Sequence, residues 1–333
     1  MEKPAWGAGP VTTRRAALGG AAAATLLAAH ARAQRPYPDR SVRIIVPWAP
    51  GGAVDTTARR IAQRLSEQTG QVFVVENRSG ATGTIGTAEA ARQAPDGYNL
   101  LAIDNTYAVM PHVFQKLPFE HAQGFELVTV MTFTPTLLAV GAKSPYRTLG
   151  ELIAAARKDP EKLTYGTGGI GSSLHFGMEA FQQAAGIRLL HVPFRGGGDA
   201  DTACVSGQVD MVLTSLSSGV GNVKGGLMRA LAFSGSERAA ELPDVPTFAQ
   251  AGLPGFGVVN WSGLAAPKGT PRPVVDKLYD ETAKALRDPG VAEFMRSTGS
   301  LPGGMQPAAF QQILQEEGER WRLVAEKAHI EKQ

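Results

Sequence analysis

Ser172, Ser173 and His175 are the side chains whose types and spacing invite nucleophilic chemistry. A serine attacks an acyl carbon when a base takes its proton and a third group orients that base. Ser172 and His175, three residues apart, share one face of a helix near its N-terminus. No G-x-S-x-G elbow holds either serine, and no acidic residue is placed by sequence to orient His175. A polar wall facing a ligand accounts for the cluster as well as a base does. The positive end of a helix also favours a neutral imidazole there. The second chemistry on offer is anion capture by backbone. Pro50-Gly51-Gly52-Ala53 and Thr167-Gly168-Gly169 each follow an extended run and precede a helical one. Glycines leave amide N–H groups uncovered, and the first N–H groups of a helix have no partner inside it. Such a junction suits an anion. An ordinary strand-to-helix turn is the plain alternative for either junction alone.

The elements that must position these groups follow from periodicity. Val42–Trp48 is a β-branched run and reads as a buried strand. Ala58, Ile61, Ala62 and Leu65 then recur at helical spacing up to Gly70, with Asp55 in the first turn, where the dipole favours an acid. Thr164–Gly171 repeats the design, and Ser172 or Ser173 caps a helix carrying Leu174, Met178, Phe181 and Ala185. Val72–Glu76 into Asn77–Gly83, and Leu189–Phe194 into Arg195–Asp199, carry the pattern less fully. Four such junctions point to a parallel α/β architecture, with ligands at the carboxyl ends of the strands. Asp104-Asn105-Thr106-Tyr107 ends the strand Leu100–Ile103, and Thr214-Ser215 ends the strand Val209–Leu213. Both polar clusters sit on the edge where a ligand would lie. Met228–Phe233 reads as a strand returning to the first domain, and 271–286, 290–298 and 307–328 read as helices.

Length and composition set bounds. The 333 residues, 43% of them apolar, suffice for two cored domains. Residues 1–33 stand apart. Arg14-Arg15 leads into an Ala/Leu run, and Ala31-Arg32-Ala33 offers small residues for cleavage after Ala33, so the segment reads as an export signal. Its apolar core is too short to span a bilayer. The paired arginines and Leu18 fit the twin-arginine pattern; a general secretory signal is the other reading. Removing residues 1–33 takes four basic residues and one acidic from totals of 33 and 30, leaving 29 of each sign. A balanced chain without basic tracts is not built for nucleic acid or an anionic membrane. Cys204 is the single cysteine, so no intrachain disulfide and no cysteine metal site exist. The six histidines show no metal-ligand spacing. No cofactor is expected, and the protein is expected in the periplasm without inserting into the membrane.

Arg43-Ile44-Ile45-Val46-Pro47-Trp48-Ala49-Pro50-Gly51-Gly52-Ala53-Val54-Asp55 resembles the opening signature of the Bug family, the TctC-like extracytoplasmic solute receptors of tripartite tricarboxylate transporters. Val74–Ala81, Pro95-Asp96-Gly97-Tyr98, Leu163–Gly169, His191–Gly196, Gly207-Gln208-Val209-Asp210 and Leu242–Thr247 look like its later signatures, in order. The resemblance implies a two-lobed periplasmic binding-protein fold, of the type II, Venus-flytrap kind, closing on a small organic acid in a central cleft. It implies a carboxylate held by backbone amides at Pro50–Asp55, with Gly168–His175 approaching from the other lobe. It also implies delivery of the ligand to membrane subunits of a tripartite tricarboxylate-type transporter. The sequence departs from the family at Asp199, where proline is common, at Ala203, where aspartate is common, and at Thr214-Ser215, which replace an acidic-plus-amide pair. Asp104-Asn105 are more polar than usual. Asp199 or Asp104 then faces a positive or hydroxyl group of the ligand, or Asp199 only caps its helix.

The expected division is 1–33 export signal, 34–128 the first part of lobe 1, 129–226 lobe 2, 227–270 a return to lobe 1, and 271–333 C-terminal helices. The expected ligand residues are Pro50, Gly51, Gly52, Ala53, Asp55, Asn105, Thr106, Thr167, Gly168, Gly169, Ser172, Ser173, His175, Arg195, Asp199, Ser215 and Trp261. For Trp261 two readings stay open, stacking on the ligand or filling the core between lobes. Arg78 and Arg195 fit either acid pairing or loop holding. Three other functions compete with capture. A hydrolase lacks its orienting acid. A nucleotide binder lacks the Walker lysine after Gly51-Gly52 and an acidic partner after Gly166-x-Gly168. A periplasmic sensor feeding a signalling partner would use the same fold and cleft.

Overall fold

The computed structural model describes Met1 and residues 36–332. The expected export signal therefore lies outside the described residues, apart from Met1. The chain divides into Met1–Asp39 and Arg40–Gln333, and every element named here belongs to the second.

Three strand–helix pairs come first: β1 (Val42–Val46) with α1 (Ala53–Thr69), β2 (Phe73–Asn77) with α2 (Thr84–Ala91), and β3 (Asn99–Asp104) with α3 (Asn105–Val113). The 17-residue β4 (Phe125–Gly141) and α4 (Leu149–Lys158) follow. Three more pairs come next: β5 (Thr164–Thr167) with α5 (Ser173–Ala185), β6 (Leu190–Pro193) with α6 (Gly197–Ser206), and β7 (Met211–Ser215) with α7 (Leu216–Lys224). Then come β8 (Met228–Phe233), β9 (Val259–Pro267), α8 (Arg272–Leu286), α9 (Pro289–Ser297), β10 (Leu301–Pro302) and α10 (Pro307–Lys327).

Local chemistry explains these elements. Val42, Ile44, Ile45 and Val46 are fully buried, as a parallel strand covered on both faces requires. Ala58, Ile61, Ala62 and Leu65 form the buried stripe of α1, which stops where Gly70 turns left-handed at φ 70°. A capping box between Thr148 and Glu151 opens α4.

The strands run in the order β2-β1-β3-β9-β4-β7-β5-β6, with β8 and β10 also on β4. Each end of the sheet is a parallel triple, β2-β1-β3 and β6-β5-β7. The middle is antiparallel: β9 pairs with β3 and β4, and β4 pairs with β7 and β8. The architecture is thus mixed α/β rather than parallel, because β4 and β9 enter the sheet without the crossover helix that parallel pairing demands. Within β4, Phe125 to Pro135 pair with β9, and Thr136 to Gly141 pair with β7 and β8. One strand therefore serves both halves. Met228–Phe233, read from sequence as the return to the first half, instead lies beside Leu137 to Gly141 in the second. The strand that rejoins the first half is β9.

Where the chain passes between halves, three residues are stitched together. The Thr136 hydroxyl donates to the Val258 carbonyl at 2.8 Å and lies 2.9 Å from the Ser234 hydroxyl oxygen. Val258 N–H in turn donates to that Ser234 oxygen at 3.1 Å. The C-terminal helix α10 packs on α3, on β4 and on α5, so it touches both halves. Its Trp321 is fully buried, edge-on to Phe176 at 6.1 Å.

Candidate ligand-binding cleft

A cavity of about 290 Å³ opens at the carboxyl ends of the parallel strands, where strand ends and helix starts from both halves of the sheet face each other. The N-cap residues of five helices line it: Gly52 of α1, Asp104 of α3, Ser172 of α5, Gly196 of α6 and Ser215 of α7. Two of these helices are capped by their own side chains. Asp104 accepts from Thr106 N–H at 3.0 Å, and Ser172 accepts from His175 N–H at 3.2 Å. Gly52, Gly196 and Ser215 make no side-chain cap bond. Three helix starts thus present backbone N–H groups and the positive end of their dipoles. Among the described residues, no Lys, Arg or His side chain lines the cavity. The uncapped helix starts thus supply positive potential at the wall itself.

Of the expected ligand residues, the structure brings Pro50, Gly51, Gly52, Ala53, Asn105, Thr106, Gly168, Ser172, Ser173, Asp199, Ser215 and Trp261 to the cavity wall. Not all face it with free groups. The Asn105 side chain is fully engaged: its oxygen accepts from Trp261 N–H, and its amide donates to Glu317 Oε2 at 3.0 Å. Glu317 also takes the Trp321 indole N–H at 2.7 Å, which ties β9 and α3 to α10. Trp261 is 3% exposed and stands edge-on to Phe310 at 5.1 Å, so its ring belongs to the core. Asp199 is the third residue of α6, whose cap is Gly196. Asp199 is therefore not the cap of that helix.

Asp55, Thr167, Gly169, His175 and Arg195 do not line the cavity. Asp55 is 2% exposed and works from behind the first loop. It accepts from Gly51 N–H at 2.9 Å, Asn77 Nδ2 at 2.8 Å and Arg59 Nε at 3.1 Å. Burial pushes its carboxyl up, but those hydrogen bonds outweigh it and leave the group below its usual range. Asp55 thus fixes the shape of the Gly51-Gly52 turn, whose Gly51 sits at φ 86°.

His175 and Thr167 brace the second loop in the same way. His175 Nδ1 accepts from Gly171 N–H at 3.2 Å, and His191 Nε2 meets Thr167 Oγ1 at 2.6 Å. Ser172 Oγ is engaged with backbone rather than with an imidazole. Arg195 is exposed and lies in a shallow outer groove beside Phe194 and Thr202, where Asp199 also reaches. Arg78 pairs with Glu76 and, at 3.1 Å, with Glu89, so it holds β2 to α2 and takes the loop-holding role. The Thr82 hydroxyl donates to Ile170 O at 2.8 Å and links the β2–α2 connection to the glycine loop.

Residues that the expected set omitted include Trp48, Thr132, Thr134, Thr214, Ser218, Asn260 and Ser262, all on the wall. A signal for two of them existed. Thr129, Thr132, Thr134 and Thr136 are buried hydroxyls in an otherwise apolar strand. Three of the four tie the strand to its neighbours: Thr129 donates to Met305 O at 2.7 Å, Thr132 to Leu301 O at 3.0 Å, and Thr136 to Val258 O as described above. Asp104 also lines the wall, and burial pushes its carboxyl up to about 6 despite the cap bond. Among the described residues no helix is long and apolar enough to cross a membrane, and no cluster of three or more His, Cys, Asp or Glu is placed to hold a metal.

Comparison with known proteins places this geometry. The profile of the tripartite tricarboxylate transporter family receptor matches residues 57–330. The UPF0065 protein of the tcbD-tcbE intergenic region of Pseudomonas sp. strain P51 is 38% identical over 317 residues, 94% of each chain. The periplasmic binding protein BugD superposes with a TM-score of 0.84 at 33% identity, over 89% of this chain and 100% of that one. R. palustris Rpa4515, solved with adipate, gives 0.85 at 32% identity, covering 89% and 100%. MatC from Rhodopseudomonas palustris, with bound malate, gives 0.82 at 34%, covering 86% and 99%. The two-lobed α/β periplasmic binding-protein fold expected from the sequence is the fold these chains share.

Proposed function

We propose a ligand and a task for this chain, which belongs to the tripartite tricarboxylate transporter receptor family: it captures a small organic acid in the cavity and hands it to membrane subunits of that transporter type. The single observation that carries the reading is the convergence of the Gly52, Gly196 and Ser215 helix starts, uncapped by side chains, on a cavity without a basic side chain. Charge-assisted hydrogen bonds from N–H groups to a carboxylate contribute roughly 1.5–3 kcal/mol each, so a few suffice for tight capture. The adipate and malate in two structural neighbours agree with a carboxylate ligand.

The Thr136–Ser234–Val258 stitch would serve as the hinge, with lobes dividing near Pro135 of β4 and rejoining at β9. Closure around the ligand would expel water and strengthen those bonds. Residues 1–33 would be the export signal, cleaved after Ala33, and would carry the chain to the periplasm. Binding rather than hydrolysis is supported by Ser172 and His175: the Ser172 Oγ accepts from backbone N–H and the His175 Nδ1 lone pair is taken by Gly171 N–H. A sensing role is the second reading; it would use the same cleft with a different membrane partner.

The test is a thermal-shift panel on mature protein, refolded to strip ligand, with organic acids set against their own amides. A ligand at a hundredfold its Kd adds about 2.7 kcal/mol of stability. A rise with an acid and not with its amide is the expected result. Equal response to acid and amide, or no response to any acid, overturns the reading.

A further inference from the structure

Asp201 is a buried carboxyl that nothing in the capture scheme uses. It sits in α6, 4% exposed, among the small buried residues Ala200, Ala203 and Cys204. Among the described residues no basic group pairs with it, and its one hydrogen-bond partner is Thr214, whose hydroxyl donates to Asp201 Oδ2 at 3.0 Å, while Oδ1 has none. A buried carboxyl so poorly compensated costs several kcal/mol. Packing alone does not call for it, since an apolar residue would fill the same space at no such cost.

Its consequence lies at Thr214. That residue is 2% exposed, is the last but one of β7 and lines the cavity. A hydroxyl has one proton and two lone pairs. With the proton committed to Asp201, Thr214 has only lone pairs left to offer the cavity. Another acceptor shares the wall: Asn260 Oδ1 is buried without a protein partner among the described residues. Donors without a protein partner among those residues share the wall as well, Trp48 Nε1, Trp261 Nε1 and Ser262 Oγ, so the cavity holds donors for a carboxylate and, at Thr214 and Asn260, acceptors for a second polar group.

We propose that Thr214, oriented by the buried carboxyl of Asp201, reads a hydrogen-bond donor on the bound acid, so that the protein selects acids carrying a hydroxyl or ammonium group over their unsubstituted parents. The inference rests on the carboxylate reading above and concerns the ligand's other polar group. Asp201 is a positioning residue, and Thr214 is the specificity-determining contact. Burial pushes the Asp201 carboxyl up to about 7, so the ionised, acceptor-only form is secured above that value.

The experiment measures affinities by titration calorimetry at about pH 8.5, where Asp201 is ionised. Matched acids are compared: propionate with lactate and alanine, succinate with malate and aspartate, glutarate with hydroxyglutarate and glutamate, adipate with hydroxyadipate and aminoadipate. One added hydrogen bond predicts that a substituted acid binds roughly three- to tenfold tighter than its parent. Thr214→Val should erase that ratio, while Thr214→Ser should keep it. Asp201→Ala frees the Thr214 proton and should lower the ratio; Asp201→Asn, whose amide oxygen can accept the same proton, should restore it. Hydroxy acids gaining more than amino acids would assign the donor as a hydroxyl, and the reverse as an ammonium; either supports the proposal. A parent acid that binds as tightly as its substituted partners overturns it and leaves carboxylate capture standing, as does a ratio that survives Thr214→Val. A drop in both affinities together in Asp201→Ala reduces Asp201 to a structural residue and overturns its positioning role. Binding of none of the acids overturns the carboxylate reading itself, and this inference with it.

Discussion

His175 and His191 stack with ring centroids 4.2 Å apart and planes 17° from parallel, behind the glycine loop and not in the cavity. Tyr165 closes the stack on His191 at 4.8 Å. His175 holds Gly171, and His191 holds Thr167, whose hydroxyl oxygen accepts from Gly169 N–H at 3.3 Å. The pair is a neutral scaffold for the loop that brings Gly168 to the cavity wall.

That stack predicts an acid limb of stability. Burial, and for His175 also the facing His191, pushes the two imidazoles down to about 3 and about 4. The unfolded histidines titrate near 6.5, so below that pH the unfolded chain binds more protons than the native one. The stabilisation is fully present above about 6.5 and is lost as pH falls toward 4. Urea denaturation from pH 7 to 4.5 should show it. His191→Gln should reduce the slope of that limb by about 1.4 kcal/mol per pH unit, the linkage of one proton. An unchanged slope would remove His191 from the account.

Asp201 acts with the opposite sign. Its carboxyl is raised from 3.8 to about 7, so the native state holds the proton longer than the unfolded state does. Its contribution is fully present below 3.8 and lost as pH rises to 7. Asp201→Asn should therefore match wild type near pH 4, gain stability as pH rises and level off above 7, with about 4 kcal/mol as the ceiling. Thermal melts at pH 4.5 and 8.5 check this, and an equal shift at both would refute it.

Gly168 allows two loops to meet. A Cβ there would stand 3.0 Å from Gly197 N and 3.2 Å from Gly196 C, both backbone atoms at the start of α6. Gly168→Ala should push the α6 N–H groups away from the ligand and weaken binding about tenfold or more, the equivalent of 1–3 kcal/mol of overpacking. The melting temperature of the unliganded protein should change far less than the affinity. Calorimetry beside a thermal melt separates the two.

Asn105 behaves as a structural tie despite its place on the wall. Asn105→Ala leaves Trp261 N–H without its acceptor and removes one donor from Glu317, at a cost of about 1–3 kcal/mol. The loss should appear in the denaturation midpoint, while the ranking of ligands stays as in wild type. A changed ranking would return Asn105 to the ligand.

Much of this arrangement was legible from sequence because it is local. The β-branched run into Gly51-Gly52, the stripe Ala58, Ile61, Ala62 and Leu65, and the Ser172 cap each depend on residues within a turn or two of one another. Short-range sterics and helix-end hydrogen bonding determine them whatever the rest of the chain does. The convergence of helix starts was therefore partly foreseeable, although six strand–helix junctions form where four were read.

Only the tertiary structure decided which side chains reach the ligand space. Facing is set by register between strands far apart in sequence, such as Asp104 against Ser262 and Thr134 against Asn260. One residue of slip would send each to the opposite face. That is why Thr132, Thr134, Thr214 and Asn260 came to the wall, while Asp55 and His175 turned to brace the loops through bonds to Gly51 and Gly171. The pairing of Thr214 with Asp201 likewise exists only because α6 packs against β7. The sequence by itself determined that strands would feed helix starts able to hold an anion; the long-range pairing of β4 and β9 decided what else the cleft would present to it.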